Sequence, residues 1–259
     1  NADAIAKGVM YADWDDHLNP KTAALAAARG VPAEEDQKIM ESYARRLKAG
    51  LAGRVEPDVE LDTPRALVNV LEHGGVKYLV LVNDRRTYGP RVGRYKAILE
   101  KLQAQTVTVT LRGWQGPVHP YDVLTRKPLA ASRNDRGVSF PVDLDELGGK
   151  LIALCPARPA GLEVAVTAKP CCGATSKLSI AMRDERGGLL AGLQPVRVTV
   201  TDARGAPTEY SDFYAACAGR LEIPLRLAVN DVPGRWRVQV EDLTAGLTAE
   251  KAFDVEKSP

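Results

Sequence analysis

The spacing of hydrophobic residues changes near residue 64, from a period of four to a period of two. Ile39, Tyr43, Leu47 and Leu51 fall four apart, which predicts an amphipathic helix over residues 32–53 with one apolar face. A second helix is predicted over 19–30. A helix with a single apolar face needs a surface to cover it. We therefore expect it to pack against the strands that follow or against a domain beyond this chain.

Beyond residue 64 the pattern predicts short strands. Residues 105–112 alternate strictly, with Val107, Val109 and Leu111 on one face, as in a half-buried strand. Residues 76–83, "VKYLVLVN", are almost continuously apolar, which predicts a strand buried on both faces. Further strands are predicted at 138–144, 150–156 and 161–168. Turn residues separate them at short intervals, which indicates an antiparallel sandwich.

The stretch "AKPCCGATS" at 168–176 is rich in turn residues, and we place a domain boundary there. After it, alternating segments predict six or seven strands, with the aromatic stretch "YSDFY" as a linker. That pattern is typical of an immunoglobulin-like sandwich. The predicted fold is mainly β, with an N-terminal helical segment or linker (1–60), a first antiparallel β-sandwich (61–169) and a second, immunoglobulin- or macroglobulin-like sandwich (170–259).

The last part of the chain contains "GRLEIPLRLAVND" and "PGRWRVQVEDLTAG". This arrangement resembles the macroglobulin-like sandwich domains of bacterial surface proteins. The earlier pieces "VKYLVLVND", "VHPYDVLTRKPL" and "FPVDLDELGGKLIALCP" are similar to the accessory β-sandwich that follows the catalytic domain in large bacterial glycoside-hydrolase-like proteins. The resemblance implies that residues 1–60 are the tail of a catalytic domain or the helical linker leaving it, with the acid pair of that domain upstream of this chain.

Composition and charge exclude few classes. The chain is 45% hydrophobic and 26% charged, with a net charge of +2, which is ordinary for a globular protein and does not suggest a nucleic-acid partner. Residues 61–169 nevertheless carry 16 lysines and arginines against 10 acidic residues. We find no apolar run long enough to span a membrane.

Much of this excess lies in residues 85–101, "RRTYGPRVGRYKAILEK". Arginines interleaved with tyrosines can bind phosphates, carboxylated sugars or an acidic protein surface. The candidate binding residues here are Arg85, Arg86, Tyr88, Arg91, Arg94 and Tyr95. The plainer alternative is a solvated loop whose charges pair with the acidic residues of 34–41.

Two further groups are candidates. Asp13, Asp15 and Asp16 lie together beside His17 and could bind a metal cation or supply an acid–base pair, although a solvated loop before a helix is the simpler interpretation. Trp114 lies in a glycine-rich turn. Its ring could stack on a sugar, with His119 and Tyr121 nearby, or it could pack locally.

Four cysteines are present, at Cys155, Cys171, Cys172 and Cys217. Four cysteines allow three fully paired connectivities, and we expect buried or loop thiols, with one or two disulfides if the protein is exported. Nucleophile and nucleotide-binding motifs such as G-x-S-x-G and the P-loop are absent. We therefore expect no catalytic residue and no cofactor in this chain.

These observations favour a non-catalytic accessory region of a larger exported bacterial protein, secreted, periplasmic or at the cell surface. Asn1 is not an initiator residue, which indicates a longer reading frame. Its partner would be a neighbouring domain of the same polypeptide, and carbohydrate is a second candidate partner.

Two alternatives stay open. The chain could complete a glycoside-hydrolase-like active site through the Asp13–His17 loop, or it could bind acidic glycans through residues 85–101.

Overall fold

The computed structural model describes residues 33–87, 91–92, 97–98, 101–146, 148–167 and 169–258. The chain is mainly β, with every paired strand antiparallel and one helix, α1 (Ala33–Leu51), at the start of the described part. The strands are β1 (Val59–Leu61), β2 (Ala66–His73), β3 (Val76–Asn83), β4 (Arg86–Thr87), β5 (Arg91–Val92), β6 (Ala97–Ile98), β7 (Lys101–Leu102), β8 (Gln105–Leu111), β9 (His119–Asp122), β10 (Lys127–Pro128), β11 (Ser132–Asn134), β12 (Gly137–Leu144), β13 (Gly149–Cys155), β14 (Pro159–Thr167), β15 (Thr175–Asp184), β16 (Leu193–Thr201), β17 (Asp212–Cys217), β18 (Arg220–Arg226), β19 (Gly234–Asp242) and β20 (Thr248–Val255).

The amphipathic helix predicted from the period of four is confirmed as α1. The described part of its apolar face is not covered by the strands of this chain, so packing against a domain beyond this chain stays a prediction. Tyr43 is 64% exposed, Leu47 53% and Leu51 42%. The helix is tied to the strands by an ion pair between Lys48 Nζ and Glu60 Oε1 at 2.8 Å. The predicted helix at 19–30 and the side chain of Ile39 lie outside the described residues.

The N-terminal β unit, residues 59–155, consists of two packed sheets. One has the order β1-β8-β12-β11, and the other has the order β10-β9-β13-β3-β2. Their facing side chains form one core, in which Val107, Val109 and Leu111 of β8 are at most 1% exposed, as the alternation predicts. The outward positions of β8 are threonines, one of which donates to Asp143. Polar alternation therefore gives the first sheet a solvated outer face.

The C-terminal β unit, residues 159–255, is one seven-stranded sheet in the order β14-β15-β18-β17-β16-β19-β20. The sheet surrounds a single core, and its two end strands lie close together. Trp236 is 2% exposed in this core, where its ring meets that of Phe253 and its Nε1 donates to the carbonyl of Val232 at 2.8 Å. Trp236 therefore fills part of the core of this unit.

Two segments pair differently from the sequence-based expectation. The sequence places the strand predicted at 161–168 in the first set, but β14 pairs with β15. Residues 169–174 therefore lie between two neighbouring strands of the seven-stranded sheet. The stretch "YSDFY" is not only a linker, since residues from Asp212 onward form β17 against β16. Half-buried or buried positions alternate with exposed ones along β17, as expected for a strand. The aromatic composition of "YSDFY" obscures this alternation in the sequence.

Strand β3 explains how the two β units meet. Leu79 and Leu81 face the core of the N-terminal unit and are fully buried, as predicted. The opposite face is covered at only one end: Val76 is fully buried next to Gly192 and Tyr78 is part of a cluster shared with the C-terminal unit, whereas Val82 is 44% exposed. The prediction of burial on both faces therefore holds for half of the strand.

Candidate functional site

The described chain contains a built contact between its two β units, which we call the joint. At its centre, the tight turn Gly74–Gly75 after β2 meets Gly192 just before β16. A Cβ atom on Gly192 would lie 2.5 Å from the carbonyl oxygen of His73 and 2.6 Å from Cγ2 of Val76. Gly192 also has a φ of +70°, a conformation that glycine adopts without strain. Both the close approach of the His73–Val76 turn and the backbone conformation of residue 192 thus require glycine at this position.

A hydrogen bond from β3 crosses the joint next to this glycine. The phenol of Tyr78 donates to the carbonyl oxygen of Leu193 at 2.7 Å. Burial raises the pKa of Tyr78 above its ordinary range, and the nearby thiol of Cys155 acts in the same direction. The phenol therefore stays protonated and remains a hydrogen-bond donor at neutral pH.

The C-terminal unit presents a buried polar turn to the joint. Asp242, at the end of β19, is 0% exposed. Its carboxylate accepts from the backbone N–H groups of Thr244 at 2.9 Å and Ala245 at 2.8 Å. Burial raises its pKa, and these N–H groups oppose that rise. The hydroxyl of Thr244 contacts the Gln194 side chain at 3.2 Å, so the turn is held in one shape by buried hydrogen bonds.

An ion pair closes the joint at its rim. Arg126, in the turn between β9 and β10, contacts the carboxylate of Glu241 on β19. The side chain of Glu241 is 13% exposed and also accepts from Arg197 of its own unit. A half-buried carboxylate between two guanidinium groups is stabilised more than an exposed surface pair.

Apolar packing fills the space between these polar contacts. Tyr121, Ala153 and Cys155 form a buried cluster against which Tyr78 and Ala245 pack. Burial, and after it the Asp242 charge, raises the pKa of the Cys155 thiol to about 12. Only residues 156–158 connect β13 to β14. The short connection and the packed joint together restrict the relative orientation of the two β units.

For the basic candidate segment, residues 85–101, the structure describes parts of the backbone and few side chains. Strand β4 pairs with β7, and β5 pairs with β6, so the segment forms a ribbon between β3 and β8. Arg85 is half-buried and donates to the carbonyl oxygen of Ala104 at 3.1 Å. The side chains of Arg86 and Arg91 lie outside the described residues. So do Tyr88, Arg94 and Tyr95 altogether.

Trp114 is packed rather than freely exposed. The half-buried ring lies against the core of the N-terminal unit, and its Nε1 donates to the carbonyl oxygen of Pro117 at 3.3 Å. The ammonium group of Lys77 lies 5.8 Å from the ring centroid, a cation–π geometry. Of the two possibilities that the sequence leaves open for this ring, the structure shows local packing, because the turn folds back onto the core.

Two surface cavities flank the Trp114 turn. The smaller, of about 220 Å³, is lined by the ring of Trp114 together with Lys77, Asp58, Arg112 and Gln115. The larger, of about 410 Å³, lies on the other side of the turn.

The larger cavity includes His119 and Arg133. Burial, and after it the neighbouring Arg158, lowers the pKa of His119. Tyr121 is buried in the joint instead, so the suggested grouping of Trp114, His119 and Tyr121 in one sugar-binding edge is wrong.

The remaining candidates give no further site in the described chain. Asp13, Asp15 and Asp16 lie outside it. Within the described residues, no group of three or more histidine, cysteine or carboxylate side chains could hold a metal ion. The four cysteines are free thiols, with Cys155 and Cys172 buried and Cys217 exposed. Among the residues that the structure describes, no helix is both long and apolar enough to cross a membrane.

Comparison with known proteins shows no matching family model and no matching curated protein. Solved structures are similar at low level. The Yersinia pseudotuberculosis adhesin InvE matches with a TM-score of 0.31 and 10% identity over 75% of this chain and 60% of the adhesin. A β-glucosidase from Listeria innocua matches with a TM-score of 0.25 and 16% identity over 37% of this chain and 16% of the enzyme.

A titin fragment, Titin-A168169, matches with a TM-score of 0.24 and 11% identity over 61% of this chain and 92% of the fragment. This chain therefore spans well under the full length of the adhesin and the glucosidase. At such low TM-scores these likenesses carry no inference about function. The resemblance to accessory sandwiches of glycoside-hydrolase-like proteins stays a prediction at the level of the family.

The joint residues are those that sequence reasoning missed. In the sequence, Tyr78 is one position of an apolar run, and no motif marks Gly192, Arg126 or Asp242. One signal could have pointed to them. A strand that is apolar on both faces in an otherwise alternating protein needs a second covering surface, and β3 finds part of that surface in the C-terminal unit.

Proposed function

We propose that this chain is a non-catalytic structural region of a larger exported bacterial protein. In this proposal two immunoglobulin-like β-sandwich domains are held at a fixed angle and space or dock a neighbouring domain of the same polypeptide. The joint carries the proposal. It combines a glycine contact, the Tyr78–Leu193 hydrogen bond and the Arg126–Glu241 ion pair. A flexible tether would need none of these contacts.

The domain division follows from the same contact. The first domain would end with β13 and the second would begin with β14, since β14 pairs only within the seven-stranded sheet. That division moves β14 from the sequence-based first domain (61–169) to the second. A spacer built in this way transmits orientation, because rotation about residues 156–158 would break the buried contacts of the joint.

The test is a distance measurement between the two units. Spin labels on Asp135→Cys and Arg204→Cys, both exposed turn residues, would be placed in a chain whose Cys171 and Cys217 are replaced by serine. A fixed joint gives one narrow distance distribution. A broad distribution in the unaltered joint would contradict a spacer of fixed angle.

A carbohydrate-binding role is a second candidate, supported by the cavities on both sides of the Trp114 turn. A screen of the purified chain against neutral and acidic polysaccharides at low and high salt would separate the possibilities. Salt-independent binding lost in Trp114→Ala but kept in Phe213→Ala, an exposed aromatic elsewhere, would support the cavity. Salt-sensitive binding lost when Arg85, Arg86, Arg91 and Arg94 become alanine would support the basic ribbon. Absence of binding would leave the spacer.

A further inference from the structure

Among the described residues, strand β2 is a long edge strand without a partner on its outer side. It is the outermost strand of its sheet and has eight residues. The other outermost strands of the three larger sheets are β1, β10 and β11, of two or three residues, and β14 and β20, which lie beside each other. Natural proteins usually protect long edge strands with proline, lysine or a bulge. The segment "ALVNVLEH" contains none of these.

The same edge concentrates exposed apolar side chains. On the face of the sheet that points away from the core, Leu67 is 58% exposed, Leu71 52%, and Val82 of β3, which pairs with Leu67, 44%. We call these three residues the edge patch. Val70, 37% exposed, lies on the other face of β2. The patch continues along the outer face of β3 towards Tyr78, where the same face is already covered by the C-terminal unit. An apolar surface that continues an existing interface is typical of a protein contact site.

Every second residue of β2 has backbone N–H and C=O groups that could hydrogen-bond to an added strand. The N–H of Asp84 donates to the carbonyl oxygen of Arg65 at 2.9 Å, which fixes the phase of the ladder between β2 and β3. Odd-numbered residues of β2 therefore bond to β3, because bonded and non-bonded pairs alternate in an antiparallel ladder. The N–H and C=O groups of Val68, Val70 and Glu72 consequently point away from the sheet.

We propose that β2 binds the β2 strand of a second copy of this chain, antiparallel and around a two-fold axis at Asn69. In this register Val68 faces Val70 of the second copy, and Leu67 faces Leu71. Even-numbered residues of one copy face even-numbered residues of the other. The outward-pointing backbone N–H and C=O groups of the two strands can therefore hydrogen-bond to each other. Glu72 faces Ala66, so no like charges oppose each other. The strand is thus complementary to itself, as a two-fold interface requires.

Neighbouring registers fit less well. A shift that places the axis at Val70 sets Val68 against Glu72 and Leu67 against His73, which pairs apolar with polar side chains. An axis between Asn69 and Val70 would set bonding groups against non-bonding ones. The Asn69-centred register joins the two five-stranded sheets into one sheet of ten strands and sets Leu67 of each copy beside Leu71 of the other.

A disulfide tests the register directly. At the axis, Asn69 faces its own copy as a non-hydrogen-bonded pair, where Cα atoms are about 4.5 Å apart, within the range that a disulfide spans. In a Cys217→Ser background, Asn69→Cys should form a covalent dimer under mild oxidation. Leu67→Cys, on the same face two residues away, faces Leu71 and should not. Covalent dimers from both variants, or from Leu67→Cys alone, would overturn the proposed register.

The dependence on the free backbone can be measured by sedimentation across a range of concentrations. Val70→Pro removes an N–H that β3 does not use and should convert a reversible dimer to a monomer, with unchanged β circular dichroism. Val70→Ala trims the same side chain but keeps the N–H, so it should still dimerise. If Val70→Pro does not fold, Leu71→Lys should remove the dimer, whereas Leu124→Lys, at an exposed leucine elsewhere, should keep it.

The unaltered chain gives the decisive result. A species of twice the chain mass, lost in Val70→Pro or Leu71→Lys and kept in their controls, supports the proposal. A chain that stays monomeric at all concentrations overturns it, and so does a dimer that all four variants retain. This outcome is separate from the distance test of the joint, because the joint lies within each copy.

Discussion

Gly192 and His73 lie so close that no side chain fits between them: a Cβ atom on Gly192 would approach the carbonyl oxygen of His73 to 2.5 Å. These residues belong to different β units, so this contact sets how closely the units approach. Real Cβ atoms do not come so near to backbone oxygen. The joint is therefore sensitive to a single methyl group at residue 192.

Gly192→Ala should open the joint. The left-handed φ of +70° costs alanine roughly 1–2 kcal/mol, and the clash adds roughly 1–3 kcal/mol if the units do not separate. We expect a broader distance distribution between spin labels in the two units and faster reaction of the Cys155 thiol with a labelling reagent. The matched control is Gly205→Ala, which has a similar φ of +81° but open space around it. Equal effects of the two changes would show that the contact does not hold the units.

Arg126→Ala should loosen the rim of the joint without unfolding either unit. Glu241 keeps Arg197 as a partner, so the loss of stability should be modest, about 1 kcal/mol. The distance distribution between the units should broaden, and more so at low salt, where the ion pair contributes most. Arg197→Ala removes a partner of the same carboxylate within one unit. It should therefore leave that distribution narrow, and a broadening as large as that of Arg126→Ala would contradict this role of the ion pair.

We expect the free energy of unfolding to fall at alkaline pH because the Cys155 thiol is buried. Its pKa is raised from 9.0 to about 12 by burial, so the unfolded chain releases this proton at a lower pH than the folded chain. The stability that the protonated thiol contributes is complete below pH 9 and falls by about 1.4 kcal/mol per pH unit above it, until the folded pKa is reached.

Urea unfolding at several pH values between 9 and 12 would measure this slope. Cys155→Ala should have a shallower slope than the unaltered chain, whatever its absolute stability. Cys217→Ala, at an exposed thiol, is the control that should retain the steeper slope. Parallel slopes for the unaltered chain and Cys155→Ala would show that this thiol ionises equally in both states.

The alternation of β8 predicts the right strand because burial of one face leaves a periodic pattern in the sequence. The four-residue spacing in α1 also predicts the right helix, although the described part of its apolar face is exposed. Contacts between units leave no such pattern. The clash at Gly192 depends on the distance between two turns more than a hundred residues apart, and the burial of Tyr121 depends on a surface that another sheet provides.

The candidate sites were harder to predict for the same reason. Trp114 lies in a glycine-rich turn, and turns are usually exposed, so the sequence alone leaves both an exposed ring and a locally packed ring open. Its burial follows from the fold of that turn onto the core and from the position of Lys77, which the sequence separates from it by 37 residues. The sequence shows that a tryptophan is present in this turn. Only the folded structure shows which face of its ring is exposed to solvent.

Trp114→Ala should therefore act first on stability. The half-buried ring packs on the core and against Lys77, so we expect a loss of about 2 kcal/mol, less than the 3–5 kcal/mol typical of a fully buried aromatic side chain. Trp114→Phe should recover much of this loss, because a smaller ring still covers the core, although the hydrogen bond to Pro117 is gone. Phe213→Ala, at a ring that is 68% exposed, is the control and should change the free energy of unfolding little. If Trp114→Ala proves as stable as the unaltered chain, the ring contributes little to packing, and a role in ligand contact at the adjoining cavity would become the better explanation for a tryptophan at this turn.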